Sequence, residues 1–293
     1  MHKLVGLAAL VCLTGCSVQM AYNNLDRLAR WSVSDYVSMD EAQRHYFDHQ
    51  FRVLWDWHRG DHLPEYADFL EALAMRFEDT ATGAEMSELV ARVLAWADAV
   101  EKRATPVAAE LLASLSDAQI AELAVALERS NEEVAEPELG VSADEARVLW
   151  RQDFVDRFSR FSGRLNPVQM AELEARAKDY RPERVLWADY RRRLQRDFLA
   201  LLAHRHDVEG LERSLRQLSA HREAYYGPEL RHVYDHNNHL TREVSVWLIN
   251  SLTDRQRKRF RSRLGNLAED LRQLAADTRR RAPDTVAPCL VRC

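Results

Sequence analysis

Four helix starts are written into this chain in nearly the same letters. Met39-Asp40-Glu41-Ala42-Gln43 is followed by Phe47, Leu115-Ser116-Asp117-Ala118-Gln119 by Leu123, Leu165-Asn166-Pro167-Val168-Gln169 by Leu173, and Leu252-Thr253-Asp254-Arg255-Gln256 by Phe260. Each places an apolar residue, a short polar residue, two variable residues, a glutamine and a second apolar residue four further on. The short side chain accepts a backbone N–H of the first helical turn, glutamine at the third position reaches back to the cap, and the flanking apolar pair closes as a staple. Four helix beginnings are thereby set by local chemistry alone.

The intervening residues repeat at helical spacing. Phe47, Phe51, Leu54, Trp55 and His58 form one stripe, which Gly60 and Pro64 are expected to break, and Pro64 opens a helix to about Phe77. Thr82 with Glu85 reads as a capping box for a helix running past Val100, and Thr105-Pro106 as the start of another. Ser142 with Glu145 caps a helix carrying Trp150, Phe154, Phe158 and Phe161. Pro182 starts one carrying Leu186, Tyr190, Leu194, Phe198 and Leu201, and Gly227-Pro228 precedes the stripe Leu230, Val233, Leu240, Val244, Trp247 and Leu248. No stretch alternates with period two. With only 9 glycines and 8 prolines in 293 residues and 30% charged side chains, the fold class is all-α, a bundle-like body of about a dozen helices.

The soft acidic stretch from Asn131 to Gly140 suggests two lobes, 16–138 and 139–281, with a tail over 282–293. Residues 1–15 are a leader: His2 and Lys3 precede a ten-residue uncharged apolar run, Leu4 to Leu13. That run is too short to span a bilayer, which needs about 20 residues. Leu13-Thr14-Gly15-Cys16 resembles the lipobox of bacterial lipoproteins, which implies cleavage before Cys16 and acylation of its thiol and new amino group. Several acyl chains hold where one holds only marginally, because each buried methylene contributes about 0.8 kcal/mol. Ser17 after the modified position, where inner-membrane retention usually uses Asp, implies an outer-membrane anchor facing the periplasm. An ordinary signal peptide cut elsewhere is the alternative.

Charge is unevenly spread. The net charge is −5, yet from Ser251 onward eleven Lys/Arg face five acids, a local +6. The cluster Arg257, Lys258, Arg259, Arg261 and Arg263 is a candidate anion-binding face for lipid phosphates or acidic glycan, or else a solvated face paired within the chain, as Arg191-Arg192-Arg193 and Arg196 read on their own helix. Nucleic acid is not an expected partner outside the cytoplasm. Of four cysteines, Cys12 leaves with the leader, Cys16 takes lipid, and Cys289 and Cys293 are a possible terminal disulfide.

Histidines supply the other candidate chemistry. His232, His236 and His239, with Glu229 and Glu243, share one helical face and offer a possible zinc or copper site when the imidazoles are neutral; a row bordering an apolar stripe is more often a polar flank. His45 and His49 with Asp48, and His58 with His62, have the same four-residue spacing, the second pair interrupted by Gly60. No nucleophile elbow, metalloprotease motif, phosphate loop or dinucleotide glycine pattern is present. The expectation is no enzyme and no cofactor beyond the covalent lipid.

The capping-box letters also resemble the Leu-Thr-x-x-Gln motif of the Spy and CpxP group of periplasmic proteins, helical cradles that bind unfolded or envelope proteins. Taken together, Ala21-Tyr22-Asn23-Asn24, Asp35-Tyr36-Val37, Trp57-His58-Arg59, Leu63-Pro64-Glu65-Tyr66 and Leu252-Thr253-Asp254-Arg255-Gln256-Arg257 resemble an uncharacterised family of proteobacterial lipoproteins, domain of unknown function 6279. That resemblance implies a location and a helical fold and carries over no catalytic residue. The functional expectation is a membrane-tethered protein that binds or scaffolds envelope proteins or cell-wall components. A metal-binding protein using His232, His236 and His239, and a structural tether to the cell wall, are the other two readings.

Overall fold

The computed structural model describes residues 22, 24–77, 80–135 and 140–279. Among them every regular element is helical, as the periodicity predicts. Eleven α-helices follow one another: α1 (Leu25–Ser34), α2 (Glu41–Trp57), α3 (Leu63–Arg76), α4 (Gly83–Ala113), α5 (Asp117–Ala135), α6 (Ala143–Ser162), α7 (Pro167–Ala177), α8 (Arg184–Leu201), α9 (Val208–Ala220), α10 (Gly227–Asn250) and α11 (Asp254–Arg279). No described helix is long and apolar enough to cross a membrane. The leader, Cys16, Cys289 and Cys293 lie outside the described residues.

All six capping boxes form. Asp40, Thr82, Ser142 and Asn166 each accept from the backbone N–H three residues on, and Gln43, Glu85, Glu145 and Gln169 return the bond. The same reciprocal pair joins Ser116 to Gln119 (2.9 and 3.2 Å) and Thr253 to Gln256 (3.0 and 3.3 Å).

Two breaks expected from proline and glycine are absent. Pro106 lies inside α4, which continues for 31 residues. An interior proline costs about 3 kcal/mol; here packing of α4 on α9 and α10 offsets it, with Ala109 and Ala113 buried and the buried Thr105 hydroxyl donating to the Glu101 carbonyl at 2.7 Å. Gly60 and Pro64 likewise leave α2 and α3 joined, through a π-helical turn at His58–His62. The helix after Pro182 begins two residues later, at Arg184.

The described chain divides at Arg76/Phe77 and Arg259/Phe260, not at the acidic stretch 131–140, which lies within one unit. One unit joins the described residues up to Arg76 with those from Phe260 onward. Its core is Tyr22, Leu63, Ala67, Ala268, Leu271, Leu274 and Ala275, with Leu25, Trp55 and Leu70 against it. The other unit is Phe77–Arg259. There Leu165, Leu173, Tyr180, Leu240, Val244 and Leu248 form a core that receives the expected stripe Trp150, Phe154 and Phe158, and a second cluster stacks Tyr190, Tyr226 and Leu230 with Trp187 and Tyr234. The division follows which helices share a core, and the last described helix returns to the first.

Candidate functional site

The π-turn joins His58 and His62 to Tyr66 and Tyr22 in a cluster of titratable groups. A regular α-helix would press the Pro64 ring against the carbonyl of Gly60, four residues back. Widening the ladder by one residue relieves that clash, and the Leu63 N–H bonds the His58 carbonyl, five residues back. The wider turn sets His58, His62 and Tyr66 side by side. Ring centroids of the two histidines are 5.3 Å apart, and each lies 5.6 Å from Tyr66. Tyr22 stacks on Trp55 at 4.0 Å.

Hydrogen bonds link the four groups in series. The Tyr22 hydroxyl is 2.5 Å from Nδ1 of His58, Tyr66 Oη is 3.4 Å from Nε2 of His58, and it is 3.1 Å from Nδ1 of His62. With both imidazoles neutral every contact is satisfied by a series of donors running in one direction, from Tyr22 through His58 and Tyr66 to His62 or the reverse. Burial, reinforced by His62, pulls His58 down to about 4; burial also lowers His62, against the opposing Glu65 and Asp61. Burial raises Tyr22, although the Arg59 guanidinium 5.6 Å from its ring acts against this, and burial then Glu65 push Tyr66 up to about 12. The series is therefore neutral near pH 7. The buried Arg59 ties it to the last helix, donating to the Leu274 carbonyl at 3.0 and 3.3 Å.

A second polar cluster sits in the other unit, where two capping glutamines meet. Gln169 Nε2 donates to Gln256 Oε1 at 3.1 Å, and Gln256 Nε2 donates to Gln169 Oε1 at 2.9 Å. The remaining donors reach the Ser251 and Arg164 carbonyls, both at 3.0 Å. Gln169 is fully buried. The starts of α7 and α11 are thus locked together. Gly163, at φ +82°, carries the turn before α7 with the Arg259 side chain packed on it.

The expected sites fare differently. His232, His236 and His239 do lie along α10, but they face separate neighbours. Arg181 donates to His232 Nε2 at 2.6 Å, His236 donates to the Asp179 carbonyl at 2.8 Å, and His239 meets Glu243 at 3.2 Å. Glu243 also faces Arg176 at 3.6 Å. No group of three or more His, Cys, Asp or Glu side chains among the described residues is placed to hold a metal ion. Asp48, near His45 and His49, pairs with Arg30 at 3.0 Å. Within the basic cluster, Arg257 donates to the Phe77 carbonyl, Arg259 covers Gly163, and Lys258 and Arg261 are exposed. Arg192 pairs with Glu128 at 3.5 Å and Arg193 donates to the Tyr225 carbonyl at 2.8 Å.

One surface was not foreseen. The Leu89–Val100 segment of α4 is apolar except for Arg92 and Asp98, yet Val90, Val93 and Leu94 are 43%, 47% and 55% exposed. Their spacing puts all three on one helical face. The sequence signal was present as an apolar run within the helix that Thr82 and Glu85 open.

A protein-family model described as "Family of unknown function (DUF6279)" matches residues 35–231. The match takes in the first three Gln capping boxes and the His58–Tyr66 cluster; Leu252-Thr253-Asp254-Arg255-Gln256 and the leader lie outside it. No curated protein and no solved structure matches the chain.

Proposed function

This chain belongs to the DUF6279 family, and from that premise we propose that it is a lipid-anchored protein of the outer membrane, facing the periplasm, that binds other envelope proteins and performs no chemistry of its own. The observation that carries the binding half is the exposed face of α4. Val90, Val93 and Leu94 remain open to solvent on a helix whose other end is well packed. A contiguous apolar face on a soluble body costs free energy unless something covers it, and such faces mark protein contacts. The anchor half is supported by Leu13-Thr14-Gly15-Cys16 after the short apolar leader.

The test is photo-crosslinking in intact cells of the full-length protein with a benzophenone amino acid at Val93, and at the still more exposed Val185 on α8. The reading expects a discrete crosslinked species from Val93 that Leu94→Asp abolishes and that Val185 does not give. Identical patterns from both positions, or none from Val93, overturn it. Mass spectrometry of the mature amino terminus tests the anchor separately.

A further inference from the structure

Helix α1 buries only one edge. Leu25 packs on the core of its unit, while Leu28 and Trp31, three and six residues on, are 41% and 66% exposed. Trp31 lines a shallow hollow of about 470 Å³ together with Arg27, Arg30 and Arg44. Arg30 is paired with Asp48 at 3.0 Å, but Arg27 bonds the neutral Asn24 amide and Arg44 the Met39 carbonyl, each at 2.5 Å. Two guanidinium charges thus stand beside an exposed indole, and among the described residues neither is paired with a carboxylate.

The position of this face along the chain says what covers it. Tyr22, the first described residue, is buried against Trp55 and hydrogen-bonded to His58. Cys16 lies six residues earlier, and six residues span at most about 22 Å even when fully extended. A body held by acyl chains on Cys16 therefore lies within one short tether of the bilayer. The first exposed surface beyond Tyr22 is α1. An exposed Trp with Leu beside it and arginines on the flank is the composition of an interfacial helix, whose rings sit at headgroup depth while cations meet phosphates. At ten residues α1 is far too short to cross.

We infer that α1 lies on the phospholipid surface that holds Cys16, with Leu28 and Trp31 at the hydrocarbon boundary and Arg27 and Arg44 on lipid phosphates. This rests on the acylated Cys16 proposed above and adds a second point of contact to it. Two contacts fix orientation where a tether alone leaves the body free to turn. Anionic headgroups strengthen the contact through the two arginines.

The experiment uses the full lipoprotein, its amino terminus verified by mass spectrometry, reconstituted into vesicles of phosphatidylethanolamine and phosphatidylglycerol with or without brominated acyl chains. The chain has seven tryptophans, so wild type is compared with Trp31→Phe, and the difference isolates Trp31. Most of that difference emission is expected to be quenched by brominated lipid, and less of it when phosphatidylglycerol is omitted or in Arg27→Gln/Arg44→Gln. An acylated protein whose Trp31 emission is untouched by bromine overturns the inference and leaves the anchor standing; a protein partner or a second copy covering α1 would give this result. An unmodified Cys16 removes the anchor, and the membrane contact falls with it.

Discussion

Two buried polar clusters, one in each unit, solve the same problem with opposite chemistry. The Gln169–Gln256 pair consists of neutral amides whose donors and acceptors are matched at every pH. The series Tyr22–His58–Tyr66–His62 is as well bonded, but two of its members are histidines that burial holds in the neutral form. A polar group buried in low dielectric is stabilising only while its partners are in the right protonation state. The first cluster is therefore a permanent fastening, the second a conditional one.

The largest effect expected from testing this contrast is at Gln169. Gln169→Ala opens a cavity and leaves the Asn166 N–H, the Ser251 carbonyl and the Gln256 amide without their partner. A loss of about 3–4 kcal/mol, equal at pH 5 and pH 8, follows from the cost of orphaned buried groups. Denaturant unfolding at the two pH values checks it; a pH-dependent loss would erase the distinction.

Next comes acid itself. The folded His58 resists protonation down to about 4, whereas in the unfolded chain it takes up a proton near 6.5. The folded state thus binds fewer protons in that window, so stability is flat above about pH 6.5 and falls as pH drops toward 4, by roughly 3 kcal/mol. The lowered His62 adds in the same direction. His58→Gln, neutral and still able to hydrogen-bond, is expected to flatten most of the slope; an unchanged slope assigns it elsewhere.

Smaller effects sharpen the comparison. Tyr22→Phe removes the hydroxyl partner of His58 Nδ1 and is expected to cost about 1 kcal/mol, read from the unfolding midpoint at pH 7.5. At the other end, His236→Ala removes one partly exposed bond to the Asp179 carbonyl. A change below about 0.5 kcal/mol is expected, typical of surface sites. A melting temperature that rises with zinc in wild type and not in His236→Ala would restore the metal reading of that row.

What was legible in the letters was whatever is decided within a few residues. The capping boxes formed because cap, N3 residue and first turn are neighbours in sequence. The stripe Trp150, Phe154 and Phe158 reached a core for the same reason. The pairing of Gln169 with Gln256 spans 87 residues, and nothing in either box says which other box it will meet. Gly60 and Pro64 read as a break because the rule for proline in a helix names a clash, not its remedy. A one-residue widening keeps the helix and moves His62 beside His58. Pro106 was misread likewise, since the packing that offsets its cost comes from α9 and α10. His232, His236 and His239 read as one row, but Arg181 and Asp179, which meet two of them, come from a loop that spacing along α10 could not reveal.

The core of Tyr22, Leu63 and Ala67 is closed by Leu271, Leu274 and Ala275 from the last described helix. A nascent chain therefore makes half of that core early and waits for the other half until the last described helix has been made. Any product cut short before Leu271 presents Tyr22, Leu63 and the Arg59 guanidinium to proteolysis, whereas Phe77–Arg259 contains its own core and is expected to survive limited digestion. The return of α11 to the early helices thus gates the resistance of this unit, which a ladder of truncations treated with protease would display as a single sharp onset.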